Sequence, residues 1–162
     1  MQNEQDMRDL LYEKMSNEQE NFIEKLKHSS PEEIISSLND SLSEGNESGM
    51  FCTAFLGILD LKTGLLKYCN AGHNPPLIID TKGNVLPMRV EPNLPLGMFC
   101  GYPYEGQETR ISRQMMLYMY TDGVNEAENK EKELFGDRRL ISLLRLNASK
   151  TPTEIIDFHR SC

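Results

Sequence analysis

No stretch of the 162-residue sequence approaches the roughly 18 consecutive apolar residues that a membrane-spanning helix needs. The N-terminus, MQNEQDMRDLLYEK, is acidic and lacks the apolar core of a secretory signal, so it does not read as a leader of that kind. An excess of positive charge is missing as well. The net charge of −8 argues against a nucleic-acid backbone as partner, because such proteins cluster Lys and Arg on one surface, and only local spots such as GDRRL are basic here. The four cysteines, Cys52, Cys69, Cys100 and Cys162, form no C-x-x-C pair and no metal-finger spacing. They read as reduced, mostly buried thiols of a cytoplasmic protein. With no secretory signal, the N-x-S sequons at Asn39, Asn46 and Asn147 read as chance matches. There is also no G-x-G-x-x-G, no P-loop and no H-E-x-x-H, so a dinucleotide, P-loop nucleotide or zinc-protease site lacks its parts.

What is present fits one soluble domain. Apolar residues make up 38% and charged residues 26%, and a chain of this length can bury roughly 68–70% of its unfolded surface. Residues 4–27 carry Met7, Leu10, Leu11, Met15, Phe22, Ile23 and Leu26 at mostly three-, four- and seven-residue intervals among polar, mainly acidic residues. That spacing predicts an amphipathic helix whose stripe packs on its own domain or on a second copy. A second helix begins with Ser30 as N-cap, Pro31 at the first position and Glu33 at the third, and ends before Gly45. Ile34, Ile35, Leu38 and Leu42 are expected to give it one buried face.

From Met50 the pattern becomes strand-like. MFCTAFLGILDL, the turn KTG and LLKYCNAG predict a hairpin of central strands over residues 50–71, and DTKGN joins PLIID to VLPMRV in another. EPNLPLG reads as a Pro-rich loop, YEGQETRI as a half-exposed strand, and MMLYMY as a buried strand ending at Thr121. RRLISLLRL and the segment capped by Thr151, Pro152 and Glu154 read as two closing helices. Two helices, five or six strands and two more helices make an α+β domain with a mainly antiparallel sheet, since the connections are mostly too short for crossovers.

Two loops could carry chemistry. Asp122-Gly123 between strands would be a solvent-facing type I′ turn, yet VNEAENKEKELFG offers no strand to complete that hairpin. An Asp at the end of a buried strand, before a Gly that lets the backbone approach, also suits a hard cation such as Mg²⁺ or Mn²⁺. A calcium loop starting at Asp122 fails, because Val124 and Ala127 stand where a ligand and a Gly are needed. In CNAGHNPP, His73 is either a ligand or proton carrier or a histidine held in a tight loop by turn-formers Asn70, Gly72 and Asn74.

MFCTAFLGILDLKTGLLKYCNAGHNPPLII, then VEPNLPLGMF, then LYMYTDGVNEAENKEKELFGDRRL resembles the stress-response and sporulation branch of the bacterial metal-dependent type 2C (PPM) serine/threonine protein phosphatases. The likeness runs in order from about Ser30 to Leu146. It implies an α-β-β-α fold, an antiparallel β-sandwich flanked by helices, with a centre of two Mn²⁺ or Mg²⁺ ions. It also implies hydrolysis of phosphoserine or phosphothreonine, commonly on anti-sigma-factor antagonists, by metal-activated water without a covalent intermediate. By that resemblance Asp122 is a direct metal ligand, while Thr121, Gly123, Asn70, Gly72, His73 and Asn74 are motif residues near the site or structural.

The family's Asp-rich strand motif and its GDVSGKG-like motif are absent, as is the DD(I/M)T motif beyond the last helix. Residues 30–162 are therefore expected to be a partial phosphatase domain lacking its first and last strands, preceded by an unrelated helical segment over residues 1–29. A lone carboxylate cannot hold two cations about 3.5–4 Å apart, which need bridging carboxylates and around six oxygens each. The chain is accordingly expected to be inactive by itself and, with sheet edges uncovered, to self-associate. The alternative is a non-catalytic phosphatase-fold module for partner binding or dimerisation.

Overall fold

A computed structural model describes residues 29–160 of the chain. The amphipathic segment expected over residues 4–27 lies outside them, as does Cys162. The first helix, α1 (Pro31–Ser43), starts where its capping signals lie: the Ser30 N–H donates to Glu33 Oε2 at 2.9 Å, and Pro31 needs no donor at the first position.

β1 (Ala54–Leu59) and β2 (Leu65–Ala71) form an antiparallel hairpin with Ala54 opposite Ala71 and Leu59 opposite Leu66. Its turn is closed by Asp60, whose Oδ1 accepts from the Lys62 and Thr63 N–H groups at 2.8 and 3.3 Å. These bonds hold the Asp60 carboxyl below its ordinary pKa. β5 (Gln107–Arg110) pairs with the other side of β2, so the strand order is β1-β2-β5. The second sheet has β3 (Leu77–Ile79) between β4 (Val85–Pro87) and β6 (Met116–Tyr118), again antiparallel throughout. Among the described residues β2 is central as expected, whereas its hairpin partner β1 is an edge, and β6 is the edge of the other sheet. β6 is half-buried rather than buried and stops at Tyr118.

Side-chain alternation stacks these sheets into layers. Leu66 and Tyr68 of β2 face Ile78 of β3 and Leu117 of β6 across the sandwich, with Phe55 and Met88 in the same cluster. The opposite side of β2, Cys69 and Ala71, meets Ile35 of α1 with Leu96 and Tyr104. The opposite side of β3, Leu77 and Ile79, is covered by Leu140 and Leu144 of α3 (Gly136–Leu146) and Ile155 of α4 (Pro152–Arg160). A four-residue helix, α2 (Asp122–Asn125), lies between β6 and α3. The result is the expected α-β-β-α sandwich.

Three local expectations are corrected. In α1 only Pro31, Ile35 and Asn39 are buried, while Leu38 and Leu42 remain 45% and 43% exposed, because the sheet touches one narrow strip of the helix. β1 starts at Ala54 rather than Met50, since Cys52 pairs instead with Leu96 of the Pro-rich loop. That pairing leaves Cys52 exposed, and Cys100 is exposed too, so only Cys69 is a buried thiol among the described cysteines. The amides of Asn39 and Asn46 donate internally, to the Phe99 and Gly97 carbonyls, and Asn147 donates to the Leu143 carbonyl.

Burial pushes the Cys69 thiol up to about 11. A thiol with that pKa is almost wholly protonated at pH 8 and is a poor nucleophile. Iodoacetamide at pH 8 should therefore alkylate Cys52 and Cys100 of the native protein and spare Cys69, as read by peptide mass spectrometry. Equal labelling of Cys69 would show that β2 does not stay covered.

Candidate functional site

The register brings the two motif loops to one end of the sandwich. β2 ends at Ala71, β3 begins at Leu77, and Leu77 lies opposite Tyr118, after which the chain runs into Asp122. Asp60, at the far end of β1, is at the opposite end of the sandwich.

The NAGHNPP loop is fixed from three sides. Asn70 Nδ2 donates to the His73 carbonyl at 2.9 Å, closing the loop on itself. His73 Nδ1 lies 3.2 Å from Thr53 Oγ1, and Gly72 forms a parallel bridge with Ala54. Gly72 has φ +70°, and a Cβ there would lie 2.9 Å from Pro95 Cγ. This contact is the physical reason that NAGH and LPLG belong together: the glycine leaves room for the proline of the second motif. LPLG is anchored in turn by Asn93, which exchanges two 3.0 Å hydrogen bonds with the backbone of Glu105. His73 is thus held through its carbonyl by Asn70 and through its ring by Thr53.

Asp122 sits differently from expectation. It is exposed and opens α2, with Thr121 as N-cap, and the Val124 N–H donates to the Thr121 carbonyl at 2.9 Å. The hairpin-turn alternative is excluded by this helical turn. Gly123 has no positive φ, and a Cβ there would meet only Thr121 Oγ1, at 3.7 Å, so close backbone approach does not require it within the described residues. α2 is tied to α3 by a residue the sequence reading did not single out: Asp137 Oδ1 accepts from Tyr120 OH at 3.4 Å and from Asn125 Nδ2 at 3.1 Å. Burial, and then the Asp137 charge, push the Tyr120 phenol above its ordinary pKa. No sequence signal marks Asp137, because its partners lie 17 and 12 residues away.

Four buried side-chain polar atoms among the described residues lack a hydrogen-bond partner, and three lie in these two loops: Asn70 Oδ1, Asn74 Nδ2 and Asn125 Oδ1. Buried orphan polar groups are costly and concentrate where something else binds or reacts. They are neutral amides, however. No group of three or more His, Cys, Asp or Glu among the described residues could hold a metal ion. Glu126 and Glu128 are exposed, and neither converges with Asp122 into such a group. A pocket of about 500 Å³ beside α2 is lined by Tyr118, Val124, Phe135, Leu143 and Ile156 and does not include Asp122. The described residues thus do not fit a two-cation centre.

The family profile described as stage II sporulation protein E (SpoIIE) matches residues 8–161. Protein IcfG of Synechocystis sp. is 37% identical over 121 residues, covering 74% of this chain and 19% of IcfG. Phosphoserine phosphatase RsbU of Bacillus subtilis is 24% identical over 100 residues, covering 62% of this chain and 30% of RsbU. The chain therefore spans less than a third of the length of these relatives. Among solved structures, the manganese-presoaked phosphatase domain of the cell fate determinant SpoIIE from Bacillus subtilis matches with a TM-score of 0.58 at 25% identity, over 89% of this chain and 63% of that one. The SiaA-PP2C domain of Pseudomonas aeruginosa has a similar fold, with a TM-score of 0.68 at 19% identity over 86% of this chain and 55% of that one.

The packing at Gly72 gives a direct test. Gly72→Ala must strain a positive φ and displace Pro95, and is expected to cost roughly 1–3 kcal/mol by urea denaturation. An unchanged midpoint would mean that the two loops do not meet as described.

Proposed function

The chain belongs to the stage II sporulation protein E family, and from that membership we propose that it is part of a metal-dependent serine/threonine protein phosphatase domain. The proposed substrate is a phosphoprotein of the anti-sigma-factor antagonist type, so that the intact protein acts in partner-switching control of transcription. Residues 30–162 form the main phosphatase part in this reading, and the family profile extends upstream to residue 8. The location is cytoplasmic, in keeping with the proposed substrate, and no helix among the described residues is long and apolar enough to cross a membrane.

The reading is supported by the register, which brings the NAGHNPP loop and the TDG turn to one end of the sandwich, and by the three buried amide atoms without a partner in these two segments. Asp122 is the proposed metal-ligand position and Mn²⁺ or Mg²⁺ the cofactor of the intact domain, where the ions would activate water and stabilise charge on the transferred phosphoryl group. What this chain itself contributes is narrower. Asp137 holds the turn that carries Asp122, while Gly72 and Pro95 lock the facing loop. The lack of a metal-holding cluster among the described residues favours the second reading for the chain taken alone, a non-catalytic module that binds a protein partner. Among the described residues β1 and β6 are edge strands, a position that favours pairing with a further strand.

Mn²⁺ titrated calorimetrically into the purified chain should show no stoichiometric two-site binding, and an aryl phosphate should not be hydrolysed above background. Two tight sites would overturn the incomplete centre. In the longer parent protein, Asp122→Ala is expected to lower Mn²⁺-dependent hydrolysis by about 100-fold or more, the order seen when a metal site loses support. Undiminished activity in that variant would remove Asp122 from the site.

A further inference from the structure

We propose that the free edge of β5 is the seam of a two-fold dimer, in which the β5 strands of two copies of this chain pair antiparallel about Thr109. β5 has β2 on one side and, among the described residues, no strand on the other. The phase of its ladder decides what that edge offers. The Ile111 N–H donates to the Gly64 carbonyl at 2.8 Å, in register with Leu66 opposite Thr109 and Tyr68 opposite Gln107. Hydrogen-bonded positions alternate along an antiparallel pair, so Gln107, Thr109 and Ile111 turn their backbone groups to β2. The N–H and C=O groups of Glu108 and Arg110 therefore point out of the sheet edge. The side chains of these two residues are exposed, whereas Gln107 and Thr109 are half-buried. β5 carries no proline, unlike the edge strand β4 across the same groove, which ends in Pro87 and lacks that N–H donor.

A second copy is the occupant because this edge is complementary to itself. With the two-fold axis at Thr109, Glu108 lies opposite Arg110 of the second copy, and Arg110 opposite its Glu108. These are the residues whose backbone groups face outward, so each pair exchanges two main-chain hydrogen bonds while opposite charges meet on one face of the extended sheet. Thr109 meets its own copy at the axis in the closer, non-hydrogen-bonded kind of pair, which suits two threonines. Charges guard an edge strand when a second copy brings the same sign to the same place, and here the two-fold exchanges the signs instead. Arg110 Nη1 donates to the Thr63 carbonyl at 3.2 Å, which uses one of the five guanidinium donors. Behind the edge, a groove of about 740 Å³ between β5 and β4 is lined by Tyr68, Ile78 and Met88, with Gln107 at its β5 side. The same register sets the inward-facing Ile111 of the second copy beside Gln107, where it adds apolar cover to that groove. The contact is isologous, so each dimer consumes both β5 edges and the pairing closes at two copies. Being short, the seam belongs to the weak class of interfaces, below about 1,200 Å² of buried surface. The inference stands apart from the phosphatase reading, since it rests on β5 and its neighbours alone.

Charge exchange at the seam, followed by analytical ultracentrifugation of the full chain, tests it. The unmodified protein should pass from monomer towards dimer between about 10 and 500 µM, the range of a weak interface. Glu108→Arg sets Arg against Arg at both pairs, and Arg110→Glu sets Glu against Glu. Each should weaken the dimer at least about 10-fold. An equimolar mixture of the two single variants should dimerise again, because every pair across the seam then joins opposite signs, and the double variant Glu108→Arg/Arg110→Glu should also recover the dimer by itself. Recovery on mixing shows that both variants are folded, so the test does not depend on either one being undisturbed. An unmodified chain that stays monomeric up to about 500 µM overturns the proposal. Association that neither single variant weakens overturns it by placing the contact elsewhere, and single variants that remain apart when mixed overturn the pairing of Glu108 with Arg110.

Discussion

Burial of β2 on both of its faces is the constraint from which the rest of the molecule follows. Leu66 and Tyr68 must be covered by the second sheet, and Cys69 and Ala71 by a helix, so one seven-residue strand fixes the positions of three layers. β3 repeats the arrangement with Ile78 inward and Leu77 and Ile79 against α3 and α4. Because successive side chains alternate, a one-residue slip in either strand would exchange every inward and outward group, and the register is held accordingly. The loop between these two strands is therefore positioned from both ends, which is why its glycine and its amides can be placed so closely against Pro95 and His73.

That geometry leaves some buried polar groups without partners in the two motif segments. Asn70, Asn74 and Asn125 each keep a buried polar atom unbonded, while other buried amides, such as Asn39 and Asn93, are engaged. The contrast separates framework from site. Asn39 and Asn93 stitch the Pro-rich loop to α1 and to the segment before β5, whereas the unbonded amides belong to the NAGHNPP loop and the α2 turn. Asp122, the carboxylate at that end, has no acidic partners among the described residues that would supply the charge two cations need. Position and activity are thus distinct properties of this chain.

The α1 layer shows the same logic in apolar form. Its buried strip is narrow, comprising Pro31, Ile35 and Asn39, and the adjacent stripe of Leu38 and Leu42 has no cover among the described residues. Polar bonds from Asn39 and Asn46 hold the flanking loops rigid, so the uncovered surface keeps its shape. Apolar area of that size is stabilising only once something lies on it.

The sequence by itself determined the elements and their order. Capping at Ser30 and Thr151, the turn at Asp60, the apolar strand runs and the ordered motifs all act over a few residues, and local chemistry is what a sequence displays directly. What tertiary structure alone decided were the long-range relations. The packing of Gly72 on Pro95, the clamp of Asp137 on Tyr120 and Asn125, the exposure of Cys52, and the choice of Ile35 over Leu38 for burial depend on which segments meet after the chain has folded. Periodicity can say that a helix has an apolar side, but the width of the strip it buries is set by the sheet it meets.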